Sequence, residues 1–225
     1  MTYRLEEYAD REMLAINLAN KLAGELRGAL ARAERVAFAV PGGTTPGPVF
    51  DDLCSVDLDW DRVDVMLTDE RWVPEESERS NTRLLRQRLL VEKAAAARLL
   101  PMYMPCQTPE DRLDEIAQII APELPLSVVL LGMGSDMHTA SLFPGADRLE
   151  QALDRRAPIL MPMRAAGAPE PRVTLTAPVL NGALSKHVLI TGPEKREALE
   201  KARGKSHAEA PINAVLDGAT VHWAE

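Results

Sequence analysis

The chain has 225 residues, of which 27% are charged and 46% hydrophobic, and its formal net charge is −8. This balance is typical of a globular protein, and the acidic excess argues against a nucleic-acid partner, because a phosphate backbone needs a basic surface. With no apolar run of about 18 residues, a polar start and only two distant cysteines, the sequence predicts a cytoplasmic protein without membrane contact, disulfide or metal site.

The first part of the chain predicts two helices and two strands, the first strand followed by a polar turn. Leucines that recur every four residues indicate an amphipathic helix over residues 5–33. An apolar strand at Val36–Val40 ends in the turn PGGTTP, residues 41–46, and a short helix is expected at 47–54. A second strand, residues 64–68, runs into the tripeptide DER.

The middle of the chain repeats the alternation. A helix is expected over 82–92, a third strand over 99–104 and another helix over 109–120. The clearest buried strand is LSVVLL, residues 126–131, which runs into a glycine-containing loop. A helix is expected to start near 139–141, after that loop.

The last part predicts two more strand–helix units. A strand is expected near 158–163, a surface loop rich in Ala and Pro over 164–172 and a helix near 177–183. A strand at 187–191 then precedes a helix that starts at Pro193 and ends near Arg203.

Strands that alternate with helices predict an α/β fold. We expect one domain over residues 1–225, with an open, mostly parallel sheet covered by helices on both faces, a Rossmann-like three-layer sandwich. Ligands of such sheets bind at the carboxyl ends of the strands. Three strand ends carry unusual residues, at 41–45, 69–71 and 132–138. If these strands are neighbours, one crevice collects all three segments.

The first of these segments is a glycine turn. Gly42 and Gly43 let the backbone approach a ligand, and the amides and hydroxyls of Thr44 and Thr45 can hold a phosphate. The spacing of a Walker P-loop is absent. A tight strand-to-helix turn without a ligand explains the same residues equally well, and the turn alone does not decide between the two.

A histidine in the third segment is a candidate general base. His138 follows Asp136 in a loop with Gly132 and Gly134, and histidine changes charge near neutral pH. The loop is not a dinucleotide fingerprint, because the third glycine would fall on Met137. The other histidines are predicted to be structural or solvated: His187, His207 and His222.

The second segment offers a cation beside two carboxylates. Arg71 can grip a phosphate with two parallel hydrogen bonds. It can equally form an ion pair with Asp69 or Glu70, which is the structural alternative. Arg172 and Lys195 are weaker anion-binding candidates on sequence alone.

Together these segments resemble the glucosamine-6-phosphate isomerase/6-phosphogluconolactonase family, and within it the lactonases. The family's central motif, close to GxGxDGHTASLFPG, appears as GMGSDMHTASLFPG at 132–145. Its GGSTP turn appears as GGTTP at 42–46, and its DERxVP segment appears at 69–74, followed by Ser80-Asn81. Its R-(I/V)-T-L-T segment appears at 172–176. The matches follow the family order from about residue 35 to 216.

The resemblance implies hydrolysis of 6-phospho-D-glucono-1,5-lactone to 6-phosphogluconate in the oxidative pentose phosphate pathway, with a sugar-phosphate substrate and no cofactor. It assigns His138 as the base, with Asp136 as its loop neighbour, and Arg71, Arg172 and Lys195 to the anion-binding side. Whether the protein is a monomer or a homodimer stays open. The remaining candidate site residues are Asp69, Glu70, Asn81, Gly132 and Gly134.

One residue departs from the family pattern. Met137 stands where members usually have glycine between the aspartate and the histidine. Glycine at such a place often marks a positive φ. The sequence therefore predicts either a different bend of the loop or a strained Met137, at a cost of about 1–2 kcal/mol.

Two other functions are compatible with the same motifs. A glucosamine-6-phosphate isomerase-deaminase would share the fold, but its motif typically continues as HIAFNEPG, whereas this chain reads HTASLFPG. A non-catalytic sugar-phosphate-binding module is encouraged only by Met137.

Overall fold

The structure, a computed structural model, describes residues 2–225. The helices are α1 (Arg11–Leu30), α2 (Gly47–Leu53), α3 (Asn81–Arg88), α4 (Leu113–Ile120), α5 (Leu149–Leu153), α6 (Ala177–Asn181) and α7 (Pro193–Ala202). The strands are β1 (Arg4–Glu7), β2 (Val36–Val40), β3 (Val63–Leu67), β4 (Asp69–Arg71), β5 (Arg98–Leu99), β6 (Val128–Gly132), β7 (Leu160–Ala165), β8 (Ala168–Leu175), β9 (Ser185–Thr191) and β10 (Thr220–Ala224).

Seven strands form an open parallel sheet in the order β1-β10-β9-β6-β2-β3-β5. The central strands β2, β3 and β6 are buried almost throughout, which explains the continuous apolar sequences of β2 and β6; β3 contains one buried carboxylate, Asp64, paired with Arg35 and Arg98. Because β2 lies between β3 and β6, the chain turns in opposite directions on its two sides, and this is where such sheets open a crevice. The predicted α/β class with a mostly parallel sheet is confirmed.

The start of the chain differs from the prediction. Residues Arg4–Glu7 are a strand that pairs with β10, and helix α1 begins only at Arg11. Asp10 separates the two, because its side chain accepts a hydrogen bond from the Met13 amide (2.7 Å) and caps the helix. The leucine stripe of α1 packs onto the sheet as the four-residue spacing predicted.

A second, three-stranded sheet in the order β4-β8-β7 was not predicted. The segment 164–172, interpreted as a surface loop, is instead largely hairpin, since β7 and β8 pair antiparallel up to Ala165 and Ala168. The prolines are tolerated because Pro162 lies on the edge strand β7, and Pro169 and Pro171 precede the part of β8 that pairs with β4. The hairpin brings Arg172 opposite Arg71 on β4.

Two other predicted elements also differ from those in the structure. The strand expected over 99–104 shrinks to the two residues of β5 at the sheet edge. No helix forms near 139–141, where a turn closed by an amide–carbonyl bond between Leu142 and Thr139 stands instead. Among the described residues, none of the helices combines the length and apolar character of a membrane span.

Candidate active site

A cavity of about 370 Å³ opens at the carboxyl ends of β2, β3 and β6. All three segments that the sequence analysis singled out contribute to its walls, so the predicted single crevice is confirmed. The predicted candidates that line it are Gly42, Gly43, Thr45, Asp69, Arg71, Asn81, Gly132, Gly134, His138, Arg172 and Lys195.

His138 lines this cleft, and its neighbour Asp136, which is not part of the cleft wall, is its hydrogen-bond partner. Asp136 Oδ1 lies 2.5 Å from His138 Nδ1 and also accepts a hydrogen bond from the His138 amide (3.2 Å). This contact with the imidazole lowers the pKa of the Asp136 carboxyl, which therefore stays ionised near neutral pH. A carboxylate on Nδ1 favours the tautomer in which Nε2 is the lone-pair nitrogen. Within residues 2–225, no protein group hydrogen-bonds to Nε2.

The loop around this pair depends on Gly134. A Cβ at that position would overlap His138 Nδ1 and Asp136 Oδ1, so only glycine lets the two side chains fold over the backbone. The loop is closed by hydrogen bonds from the Gly134 amide to the His138 carbonyl (2.9 Å) and from the Met137 amide to the Gly134 carbonyl (3.0 Å).

Met137 adopts the conformation that the family glycine predicts. Its φ is +68°, in the left-handed region. Of the two alternatives, the strained residue is the one observed, and the loop does not bend away. Its carbonyl accepts a hydrogen bond from the Ile212 amide (3.0 Å), which holds the strained turn against the body of the protein.

Two arginines face each other at another wall of the cleft. Arg71 and Arg172 are directly opposite in the β4–β8 pairing, an arrangement that is unfavourable for like charges. Their Nε atoms are buried without a hydrogen-bond partner. Burial lowers the pKa of the Arg172 guanidinium, although arginine stays charged in proteins. Two unsatisfied guanidinium donors side by side are a favourable environment for an anion.

Neither carboxylate of the DER segment neutralises Arg71. No ion pair links its guanidinium to any carboxylate of the described chain, and its Nη1 donates to the Arg79 carbonyl (3.1 Å). Asp69 instead accepts a hydrogen bond from the buried Ser141 hydroxyl (2.5 Å) and lies 3.7 Å from Arg172 Nη1. The interpretation in which Arg71 is simply paired with Asp69 or Glu70 is therefore wrong.

Glu70 does not line the cleft, although it was a candidate site residue. Side chains of a strand alternate between its two faces, so Asp69 and Arg71 point one way and Glu70 the other. Glu70 is fully buried, and this burial raises the pKa of its carboxyl, an effect opposed by hydrogen bonds from neighbouring amides.

The glycine turn lies against Asn81. A Cβ on Gly42 would overlap the Asn81 carboxamide, whose Nδ2 donates to the Asp69 carbonyl (3.0 Å). Gly43 has a φ of +82°, which glycine adopts without strain. Glycine is thus required at both positions, once by a close approach and once by the backbone.

The last two candidates, Lys195 and Thr44, lie in different cavities. Lys195 is half-buried in the first turn of α7, lines the cleft, and has no ion-pair partner among residues 2–225. Thr44 does not line the cleft but an adjoining smaller pocket beside Arg11. Thr44 therefore lies on a different cavity wall from Gly42 and Gly43, and its part in ligand binding stays a prediction.

Phe143 is a cleft residue that sequence reasoning missed. Its ring centroid lies 4.4 Å from that of His138, and the Arg172 guanidinium carbon lies 5.7 Å from the same centroid. Phe143 therefore contacts both the imidazole and one of the two arginines. The only sequence signal was its place in the central motif, since a single phenylalanine is ordinarily read as a core residue. Across residues 2–225, His, Cys, Asp and Glu side chains form no cluster of three or more that could hold a metal ion.

The family model described as glucosamine-6-phosphate isomerases/6-phosphogluconolactonase matches residues 9–223. The chain belongs to this family. The 6-phosphogluconolactonase of Rhizobium meliloti (strain 1021) is 41% identical over 232 residues, which cover 100% of both chains. That of Caulobacter vibrioides is 38% identical and covers 99% of this chain and 97% of the other.

Solved structures in the family have the same fold. A 6-phosphogluconolactonase from Shewanella baltica OS155 has a TM-score of 0.96 at 30% identity and covers 100% of this chain and 98% of that one. A monomeric glucosamine-6-phosphate deaminase has a TM-score of 0.77 at 16% identity, covering 99% of this chain and 97% of that one, and is similar in fold alone. The resemblance predicted from the motifs is confirmed at the level of the family.

Proposed function

We propose that the protein hydrolyses 6-phospho-D-glucono-1,5-lactone to 6-phosphogluconate, with His138 as the general base. The observation that carries the proposal is the content of a single cleft. It contains an imidazole oriented by Asp136 with Nε2 open, and two arginines with unpartnered Nε atoms. A base and an anion-binding site in one cleft are what hydrolysis of a phosphorylated lactone requires. The lactonases at 34–42% identity support the same substrate.

The reaction follows from the position of Nε2. His138 Nε2 removes a proton from water while the water oxygen attacks the lactone carbonyl carbon. A cation of the cleft stabilises the negative charge that develops on the carbonyl oxygen. The imidazolium, held by the Asp136 carboxylate, then gives its proton to the ring oxygen as the carbon–oxygen bond breaks. The product acid ionises in water, and His138 is neutral again.

Phosphate recognition falls to Arg71, Arg172 and Lys195, together with Gly42, Gly43 and Thr45. The substrate phosphate carries about −1.5 to −2 charges at neutral pH, by analogy with phosphorylated side chains. A protein of net charge −8 repels such a group at long range, although salt screens this repulsion beyond about 8 Å. Binding therefore depends on these local donors.

The test measures acid release from freshly prepared lactone, above the spontaneous rate, for the wild type and for His138→Ala. Loss of a general base predicts a fall in kcat of about 10²–10⁴. His207→Gln is the matched control, because His207 is exposed and does not line the cleft. Wild-type turnover in His138→Ala would contradict the role of the histidine.

The two other functions are separate outcomes of the same experiment. Release of ammonia from glucosamine 6-phosphate would identify a deaminase. Binding of 6-phosphogluconate without any hydrolysis above the spontaneous rate would identify a non-catalytic binding module.

A further inference from the structure

Glu70 is the most heavily hydrogen-bonded carboxylate next to the cleft. Its Oε1 accepts hydrogen bonds from the amides of Arg71 (2.7 Å) and Asn81 (2.8 Å). Its Oε2 accepts from the Thr82 amide (2.7 Å), the Thr82 hydroxyl (2.7 Å) and the Ser80 hydroxyl (3.2 Å). Three backbone amides and two hydroxyls therefore converge on one buried side chain.

These bonds leave Glu70 unavailable to the neighbouring arginine. A carboxylate adjacent in sequence would ordinarily form an ion pair with Arg71. Glu70 instead points to the opposite face of β4, where its oxygens accept hydrogen bonds from backbone amides. One of those amides is that of Arg71 itself, so the backbone from which the guanidinium projects is fixed directly by the carboxylate.

The same bonds tie the start of helix α3 to β4. Asn81 is held by its amide on Glu70 and by its side chain on the Asp69 carbonyl, and it packs against Gly42. The carbonyl of Arg79, just before the helix, accepts a hydrogen bond from Arg71 Nη1. Both the backbone and the guanidinium of Arg71 are therefore held in place through Glu70: the backbone by a direct hydrogen bond, and the guanidinium through the segment before α3 that Glu70 anchors.

We propose that Glu70 is a positioning residue for the anion site: it holds Arg71 and the start of α3 so that the guanidinium faces the cleft uncompensated. This rests on the proposed function for the identity of the ligand, but not for the existence of an anion site. The residue acts through Arg71 and does not itself contact the ligand.

The test is a double-mutant cycle on ligand binding. Dissociation constants for 6-phosphogluconate and for inorganic phosphate are measured by calorimetry and NMR titration for the wild type, Glu70→Gln, Arg71→Ala and the double variant. Glutamine keeps the shape but places an NH₂ group against an amide donor whichever way it is oriented. We expect Arg71→Ala to raise Kd about tenfold to hundredfold and Glu70→Gln about fivefold or more. The double variant should bind no more weakly than Arg71→Ala.

Asp64→Asn is the matched control. Asp64 is also a fully buried carboxylate, but it is paired with Arg35 and Arg98, far from Arg71 in the contacts that it makes, and does not line the cleft. It should lower stability and leave Kd unchanged. An unchanged Kd in Glu70→Gln, additive effects in the cycle, or an equal loss in Asp64→Asn would overturn the positioning role.

The two proposals can fail separately. A wild type that binds phosphate with the expected coupling but hydrolyses no lactone would refute the proposed function and leave the role of Glu70 intact. If the wild type hydrolyses the lactone and Glu70→Gln changes neither Kd nor KM, the role of Glu70 would be refuted and the proposed function would stand. A wild type that binds neither anion would overturn both.

Discussion

At the scale of single residues, Met137 is the place where this chain departs from its family. The left-handed backbone at this position costs a residue with a Cβ about 1–2 kcal/mol. The strain is held by the two hydrogen bonds of the Met137 backbone, to Gly134 and to Ile212. His138 is the next residue, so the strained backbone of Met137 directly precedes the residue that carries the imidazole.

A pair of variants isolates this strain. Met137→Ala and Met137→Gly remove the same side-chain packing, but only glycine accepts a positive φ freely. We expect Met137→Gly to have a free energy of unfolding about 1 kcal/mol higher than Met137→Ala, measured by urea denaturation. The lower conformational freedom of alanine in the unfolded chain works against this difference. Equal stability, or a more stable alanine variant, would show that the strain does not exceed this opposing effect and would contradict the expected difference.

At the scale of elements, the buried strands were predictable and the second sheet was not. A strand covered on both faces is largely apolar, so β2 and β6 could be recognised from composition alone, and β3 carries a single charged residue, Asp64. The hairpin of β7 and β8 contains three prolines and is exposed around its tip, so its sequence resembles a loop, and β4, the other partner of β8, lies far earlier in the sequence. Long-range pairing leaves no local signal.

The same reason limits what could be predicted about the cleft. The three strand ends were recognisable because parallel neighbours bring their carboxyl ends together. That Arg71 stands opposite Arg172, and that Glu70 faces away from both, depends on the register of β4 and β8. The contact of Phe143 with His138 depends on a turn where a helix was expected.

The start of helix α3 makes a prediction at this scale. The Ser80 hydroxyl accepts a hydrogen bond from the Arg83 amide (3.2 Å) and donates one to Glu70. Ser80→Ala removes both and should lower the free energy of unfolding by about 1–2 kcal/mol. Ser80→Thr keeps a hydroxyl and should recover most of this loss in the same urea titrations. An alanine variant as stable as the wild type would show that the cap contributes nothing.

At the scale of the whole molecule, a chain of buried polar side chains joins α1 to strands β9 and β10. His187 Nδ1 lies 2.9 Å from His222 Nε2, and His187 Nε2 lies 2.7 Å from the Glu25 carboxylate. His222 Nδ1 lies 2.8 Å from the Tyr8 hydroxyl, which donates to Glu6. This arrangement confirms the prediction that both histidines are structural, and it gives the fold a buried group that titrates.

The last prediction concerns the stability of the fold in acid. Burial, followed by repulsion from His187, lowers the pKa of His222 to about 3, although Glu6 and Glu25 oppose this shift. An unfolded histidine binds its proton near pH 6.5, so between these values the unfolded chain binds more protons than the folded one. The free energy of unfolding should therefore fall as the pH drops from about 6.5 towards 3. Carboxyls with lowered pKa values add their own loss only from about pH 4.5 downwards.

Between about pH 6.5 and 4.5 the carboxyls with lowered pKa values contribute little, whereas Glu70, whose pKa is raised by burial, works in the opposite direction to His222. Comparison with a variant that lacks only His222 isolates the histidine, because both proteins share all the other groups. His222→Gln removes the titrating group and should unfold more easily at pH 7, because two buried hydrogen bonds are disturbed, but its stability should change less across this interval. His207→Gln, at an exposed position, should follow the wild-type profile. Urea denaturation at several pH values measures all three. A His222→Gln profile parallel to that of the wild type would show that the buried histidine is not the group whose protonation destabilises the fold.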